Sequence, residues 1–236
     1  MIYHNYLLRT SCLGNFIMKK LLLTLLFFSF SCFCKNHHEQ KEIMFKTSRT
    51  AQYPVHELII NRWSPRAFSP EPISDEELMT IFDAARWAQN SYNNQPWRFI
   101  YSRNGSSSWQ KFLDLLVPGN KEWAQHAQVL IVVISKNTFD FNGKPSITHS
   151  FDTGAACQNM ALQGAVMDIV VHGMEGFDYE QAPAVLKVPS DYTIEAMFAV
   201  GKLGDKENLP EKLREREKPS DRKPLEKIVC KGEFCQ

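Results

Sequence analysis

ISDEELMTIFDAARWAQNSYNNQPWRFIYS, residues 73–102, holds a helix, a turn and a strand in succession. Ser74 stands three positions ahead of Glu77, the spacing at which a hydroxyl and a carboxylate cap a helix start reciprocally. Leu78, Ile81, Phe82, Ala85 and Ala88 then recur at helical spacing, so one face is apolar. SYNNQP interrupts with turn residues, and WRFIYS has the composition of a strand. The alternation continues outward from this stretch. PVHELIIN (54–61) predicts a short helix, and RWSPRAFSPEP (62–72) a proline-broken loop. SSWQKFLDLL (107–116), FDTGAACQNMALQGAVMDI (151–169) and YEQAPAVLKV (179–188) predict further helices. Val129 to Ser135 and IEAMFAVGKLG (194–204) predict strands, and VVHGMEGFD (170–178) passes from strand to loop. With no GxGxxG fingerprint and no phosphate loop among these elements, the pattern predicts a mixed α+β domain.

The chain has 236 residues and a formal charge of +1, enough for one ordinary globular domain. The near-neutral balance speaks against a nucleic-acid binder, which carries a basic excess. Six scattered cysteines do not make a disulfide framework in a chain of this length. Residues 1–35 stand apart. MKKLLLTLLFFSFSCFC, from Met18, has the charged and apolar regions of a secretory signal, with an apolar run too short for a comfortable membrane span. Met1 to Phe16 read as upstream of a start at Met18, and Ser31-Cys32 resembles a lipoprotein cleavage site in which Cys32 would be lipidated. The alternative is an uncleaved apolar anchor. Residues 36–42 form a polar linker, and the domain is expected over 43–236.

Four stretches could carry chemistry. In RWSPRAF (62–68), Arg62, Ser64 and Arg66 alternate, which in extended backbone points two guanidiniums and a hydroxyl to one side. Such donors match a phosphate or a polarised carbonyl; the alternative is a solvated turn. In SYNNQPW (91–97), Asn and Gln amides could read the edge of a heterocycle, or Asn93 and Asn94 could be there to tolerate left-handed backbone. In GMEGFD (173–178), Gly176 could bring a backbone N–H close to a ligand and Glu175 could orient it, or the stretch is a plain loop. In SDRKPLEKIV (220–229), Arg222 and Lys223 could complete a phosphate site or belong to a solvated tail. No Ser-His-Asp or Cys-His arrangement nominates a catalytic residue, and no His or Cys spacing nominates a metal site.

Taken together and in order, RWSPRAF, NNQPWRF, GAACQNMALQG, GMEGFD and RKPLEKIV resemble the FMN-dependent nitroreductase family from about His56 to Val229. The resemblance implies an α+β fold with a mixed sheet flanked by helices, and an intertwined homodimer with FMN at the subunit interface. Arg62, Trp63 through its backbone, Ser64 and Arg66 match the segment that cradles the cofactor. Arg66 would stand by the flavin N1 and O2, favouring the reduced, anionic ring electrostatically. Asn93 matches the asparagine that contacts the flavin. Gly173, Glu175 and Gly176 match the loop over the ring, and Arg222 the late arginine at the phosphate. Ser220 departs from members with a second basic residue there, a gap that Lys218 or Lys223 would have to fill. Gly154 and the alanines of residues 151–169 suit either a dimer interface or a monomer core, and Cys157 reads as a small core residue. Cys230 and Cys235 could pair after export.

The implied activity is an oxidoreductase whose flavin takes electrons from NADH or NADPH and passes them to a small nitroaromatic or quinone-like acceptor. A non-catalytic flavin-binding surface protein and a flavin-modifying or dehalogenating branch are the alternatives. A working leader places the protein in the cell envelope, lipid-anchored or periplasmic, where nicotinamide nucleotides are scarce and another donor is needed. Without one, the protein is cytoplasmic.

Overall fold

The computed structural model describes residues 47–235; the expected leader and linker, and the first residues of the expected domain, lie outside the described residues. Four strands, β1 (Trp97–Arg103), β2 (Val129–Lys136), β3 (Ile169–Met174) and β4 (Tyr192–Lys202), form one sheet in the order β1-β2-β4-β3. Helices α1 (Glu57–Asn61), α2 (Asp75–Ala85), α3 (Trp109–Leu115), α4 (Pro118–Ala124), α5 (His149–Val166), α6 (Ala182–Leu186) and α7 (Glu211–Arg214) surround it.

The α+β class holds. Within the sheet all three strand pairings are antiparallel, where a mixed sheet was expected. The reason is topological. Helix α5 is the crossover that returns the chain so that β2 and β3 run the same way, but β4 inserts between them, so no parallel pair forms among the described residues.

Burial of β2 on both faces explains its unbroken apolar run. Val129, Ile131 and Val133 join a cluster with Leu78 and Ile81 of α2 and Met160 of α5. Leu130, Val132 and Ile134 join a second cluster with Phe112 of α3 and Trp123 of α4. Period-two alternation thus feeds two helical layers, one on each face.

Local signals account for most boundaries. Ser74 Oγ accepts from Glu77 N at 3.1 Å and Glu77 Oε2 from Ser74 N at 2.7 Å, the reciprocal cap foreseen for α2. Helix α1 begins at Glu57 rather than Pro54, with the His56 ring accepting from Leu58 N. Helix α5 stops at Val166, short of residue 169, because Asp168 turns to φ 58° and Ile169 enters β3. That turn needs a close approach. A Cβ on Gly164 would lie 2.6 Å from Val171 Cγ2 and 2.8 Å from the Ile169 carbonyl oxygen. Gly154, by contrast, faces open space, so the core reading does not apply to it.

Candidate functional site

Arg62, Trp63, Ser64 and Arg66 line one cavity of about 320 Å³. The alternation expected of RWSPRAF is realised, and Arg62 Nη1 donates to Ser64 Oγ at 3.3 Å. The opposite wall is the C-terminal segment, where Arg216, Lys218, Ser220 and Arg222 line the same cavity. These too occupy every second position, in a stretch that is mostly without regular structure. Arg222 Nη1 donates to Ser220 Oγ at 3.2 Å, and Lys218, with Arg216, supplies the basic charge missing at Ser220. Lys223 is not among the lining residues.

Two further side chains complete the cavity and hold its first wall in place. Arg49 Nη1 donates to the carbonyls of Ile60 at 3.1 Å and Arg62 at 3.0 Å, leaving its buried Nε without a protein partner. His172, buried on β3 against the Trp123 ring, lies 2.7 Å from the Pro65 carbonyl through Nδ1. Burial pushes its imidazole down to about 4, outweighing the raising effect of the Pro65 carbonyl, with Arg66 and Arg62 adding to the depression. The ring is therefore neutral at pH 7, and because a carbonyl only accepts, the proton sits on Nδ1.

The cavity is crowded with positive charge. The guanidiniums of Arg62 and Arg49 are both held below their ordinary range, first by burial and then by repulsion from Arg222. Cations brought together against their own repulsion, with serine hydroxyls between them, make a receptor for a multiply charged anion. Glu217 offsets part of the charge, its Oε2 lying 3.5 Å from Arg66 Nη1.

The other expected site residues are not gathered into this cavity. Asn93 lines a separate hollow with Arg86, Trp87, Ala88 and Gln95. Its backbone is left-handed at φ 53°, as are Tyr92 and Gln95 on either side. Asn94 differs from expectation: it is right-handed, and its buried amide donates to Thr138 O at 3.2 Å and accepts from Asp140 N at 2.9 Å. Asn94 is a brace for the turn. Gly173 directly follows His172 at the end of β3, and the exposed Glu175 and half-buried Gly176 lie beyond it. Val117 N and Asn120 Nδ2 of the α4 start both donate to Gly176 O at 3.1 Å, and a Cβ on Gly176 would approach Asn120 Nδ2 to 2.8 Å. A side chain there would have to displace the Asn120 and Val117 side chains.

Sequence reasoning missed Arg49, His172, Arg216 and Glu217. The tail's period-two spacing, R-x-K-x-S-x-R from Arg216 to Arg222, was a usable signal. Nothing local marks Arg49 or His172. Cys157 packs as a partly buried core thiol, pushed up to about 12 by burial and by Glu195.

The chain matches the model of the nitroreductase family over residues 59–116 and 101–202. It is similar to a solved structure described as an oxidoreductase containing FMN, at 43% identity and a TM-score of 0.77, covering 80% of this chain and 98% of that one. It is 28% identical to protein DrgA of Synechocystis sp., over 73% of this chain and 93% of the relative. A protein of Rhodopseudomonas palustris, provisionally named an NADH dehydrogenase/NAD(P)H nitroreductase, is 24% identical over 52% of this chain and 71% of its own length. Matched motifs, fold and coverage agree: the chain belongs to the nitroreductase family.

Proposed function

We propose that the protein is an FMN-dependent oxidoreductase, taking electrons from a reduced nicotinamide nucleotide or another donor and passing them to nitroaromatic or quinone-like acceptors. The observation that carries the reading is the convergence of Arg62, Ser64 and Arg66 with Arg216, Lys218 and Arg222 on one cavity. Its donor set fits the phosphate and ribityl end of FMN, and the solved relative contains FMN. When bound, the flavin would supply the redox chemistry, accepting and releasing an electron pair.

The chain's own residues bind and orient. Arg62, Lys218 and Arg222 would neutralise the phosphate, and Ser64 and Ser220 would donate to it or to the ribityl hydroxyls. Arg66 would place positive charge beside the pyrimidine edge of the ring, and Gly173, Glu175 and Gly176 would border its face. Asn93 would come from a second copy of the chain. Its turn is tied to α5, since Ser91 N donates to Asp152 Oδ2 at 3.0 Å. Around that junction stand exposed aromatic and aliphatic side chains: Tyr92 in ring contact with Phe139 and Phe141, and Ile147 and Phe151 at 95% and 72% exposure. A surface so apolar is expected to be covered, here by a homodimer partner.

The Cys230–Cys235 disulfide supports export to an oxidising compartment, in keeping with the leader read over residues 1–35, and with it a donor other than a nicotinamide nucleotide. Anaerobic addition of NADPH or NADH to the FMN-loaded protein separates the possibilities. Bleached flavin bands, restored by a quinone or nitroaromatic, support the nicotinamide-driven enzyme. Bands that persist with both nucleotides but bleach with an artificial reductant exclude that donor. Bands that bleach chemically yet pass no electrons to any acceptor would instead describe a flavin-binding protein without turnover.

A further inference from the structure

We propose that Glu217 is a positioning residue for this cofactor site: its carboxylate is the hook that holds the cationic C-terminal wall, Arg216 to Arg222, against the RWSPRAF segment. Glu217 Oε1 accepts from Arg66 N at 2.6 Å and from Ala67 N at 3.0 Å, across sequence separations of 151 and 150 residues. The Glu217 side chain is only 2% exposed, in a tail whose neighbouring side chains are in water. Its second oxygen is buried as well, with the Arg66 guanidinium 3.5 Å away. A carboxylate fully desolvated by two backbone amides and one cation is costly to leave unpartnered, so this contact fixes the register between the two walls.

The register decides which side chains meet the ligand. Around Glu217 the tail turns, Glu217 N donating to Arg214 O at 3.1 Å and Lys218 N to Arg216 O at 2.9 Å, so the seat of this carboxylate sets where its neighbours point. With Glu217 seated on the Arg66 and Ala67 amides, Arg216, Lys218, Ser220 and Arg222 turn to the cavity. Lys218, at the position next to the hook, therefore enters the site by virtue of Glu217. Elsewhere the tail has one local and one distant contact: Glu217 N donates to Arg214 O, and the Leu225 amide donates to Gln52 Oε1 at 3.0 Å, 173 residues away in the chain. Neither contact joins the tail to residues 62–67. On this account the anion site is assembled from two walls, and one acidic residue, itself repelled by the anion, is what brings the second wall in.

That last point makes the sign of the effect diagnostic. A negative charge beside a phosphate receptor would, acting electrostatically alone, weaken anion binding, and its removal would tighten it. A hook has the opposite consequence. The inference rests on the FMN reading, and the test keeps the two apart. Full-chain wild type, Glu217→Ala and Glu217→Gln are compared by FMN titration at several salt concentrations. Hydrogen exchange is followed over residues 62–68 and 216–222 without ligand.

Glu217→Ala is expected to bind FMN at least about tenfold more weakly, as for loss of charge-assisted contacts. Its binding should also depend less steeply on salt, because fewer cations face the anion. Exchange should accelerate in those two segments and not in the sheet. Glu217→Gln keeps an oxygen for the two amides, so it should bind no more tightly than wild type and lie between wild type and Glu217→Ala. Unchanged or tighter FMN binding by Glu217→Ala, with unchanged exchange, would overturn the hook. If Glu217→Ala fails to fold, Glu217→Gln decides: binding about tenfold tighter than wild type would make Glu217 a mere opposing charge. If wild type takes up no FMN, the cofactor reading fails, and the ligand-free exchange data still judge the hook.

Discussion

Arg62 and Arg222 line opposite walls of the cavity, and after burial it is Arg222 that most holds the Arg62 guanidinium below its ordinary range. Removing either should relieve repulsion yet remove a charge-assisted contact to the phosphate, and the contact is the larger quantity. Arg62→Ala and Arg222→Ala are each expected to weaken FMN binding by roughly ten- to a hundredfold, read by fluorescence titration; a full flavin complement in both variants would remove them from the site. Arg66→Ala should instead retain flavin and lower its reduction potential, measured by spectroelectrochemistry against reference dyes. The shift should be smaller than for an isolated guanidinium, because Glu217 already offsets part of the charge. At this scale the alternation of Arg62, Ser64 and Arg66 was legible, since side-chain period two is a local property. Glu217 was not. A carboxylate inside a run of charges looks solvated, and its amide partners are distant in sequence.

Single elements carry their own tests. The cap of α2 should contribute about 1 kcal/mol, so Ser74→Ala is expected to lower stability by that order in urea denaturation. Glu77 serves the same cap and also pairs with Lys202 at 2.7 Å. The Lys202 hydrogen bond first, then the Ser74 amide, hold its carboxyl down to about 2 from an ordinary 4.5. A depressed folded pKa means stability fully present above pH 4.5 and lost as pH falls from there towards 2. Lys202→Met should flatten that acid limb of the melting temperature; an unaltered limb would show the pair to be inconsequential. The strands and the long helices were legible from periodicity and capping. Helix α4 was not, because PGN at residues 118–120 reads as a turn, whereas Pro118 occupies the first helical position that tolerates it. The mixed sheet failed for a reason no strand pattern contains, the insertion of β4 between β2 and β3.

At the scale of the molecule, the residues proposed to bind the cofactor are not all brought to one cavity by one chain. Arg62, Ser64, Arg66 and Arg222 share a cavity, while Asn93 sits elsewhere beside the exposed Tyr92. A dimer that buries Tyr92, Ile147 and Phe151 would reconcile them. Light scattering of the purified protein is expected to give twice the single-chain mass, and Phe151→Glu to give monomers with weakened FMN binding. A monomeric wild type holding FMN would remove the second copy from the site. Family motifs implied the cofactor and a homodimer, but the surface that would join two copies was not legible, because apolar side chains that cover a partner resemble those that cover a core. The most direct test of the central claim is the absorption spectrum of the purified full-length protein after loading with FMN and gel filtration. The account predicts stoichiometric flavin bands eluting with the protein; a colourless protein with all the free FMN in the late fractions would contradict it.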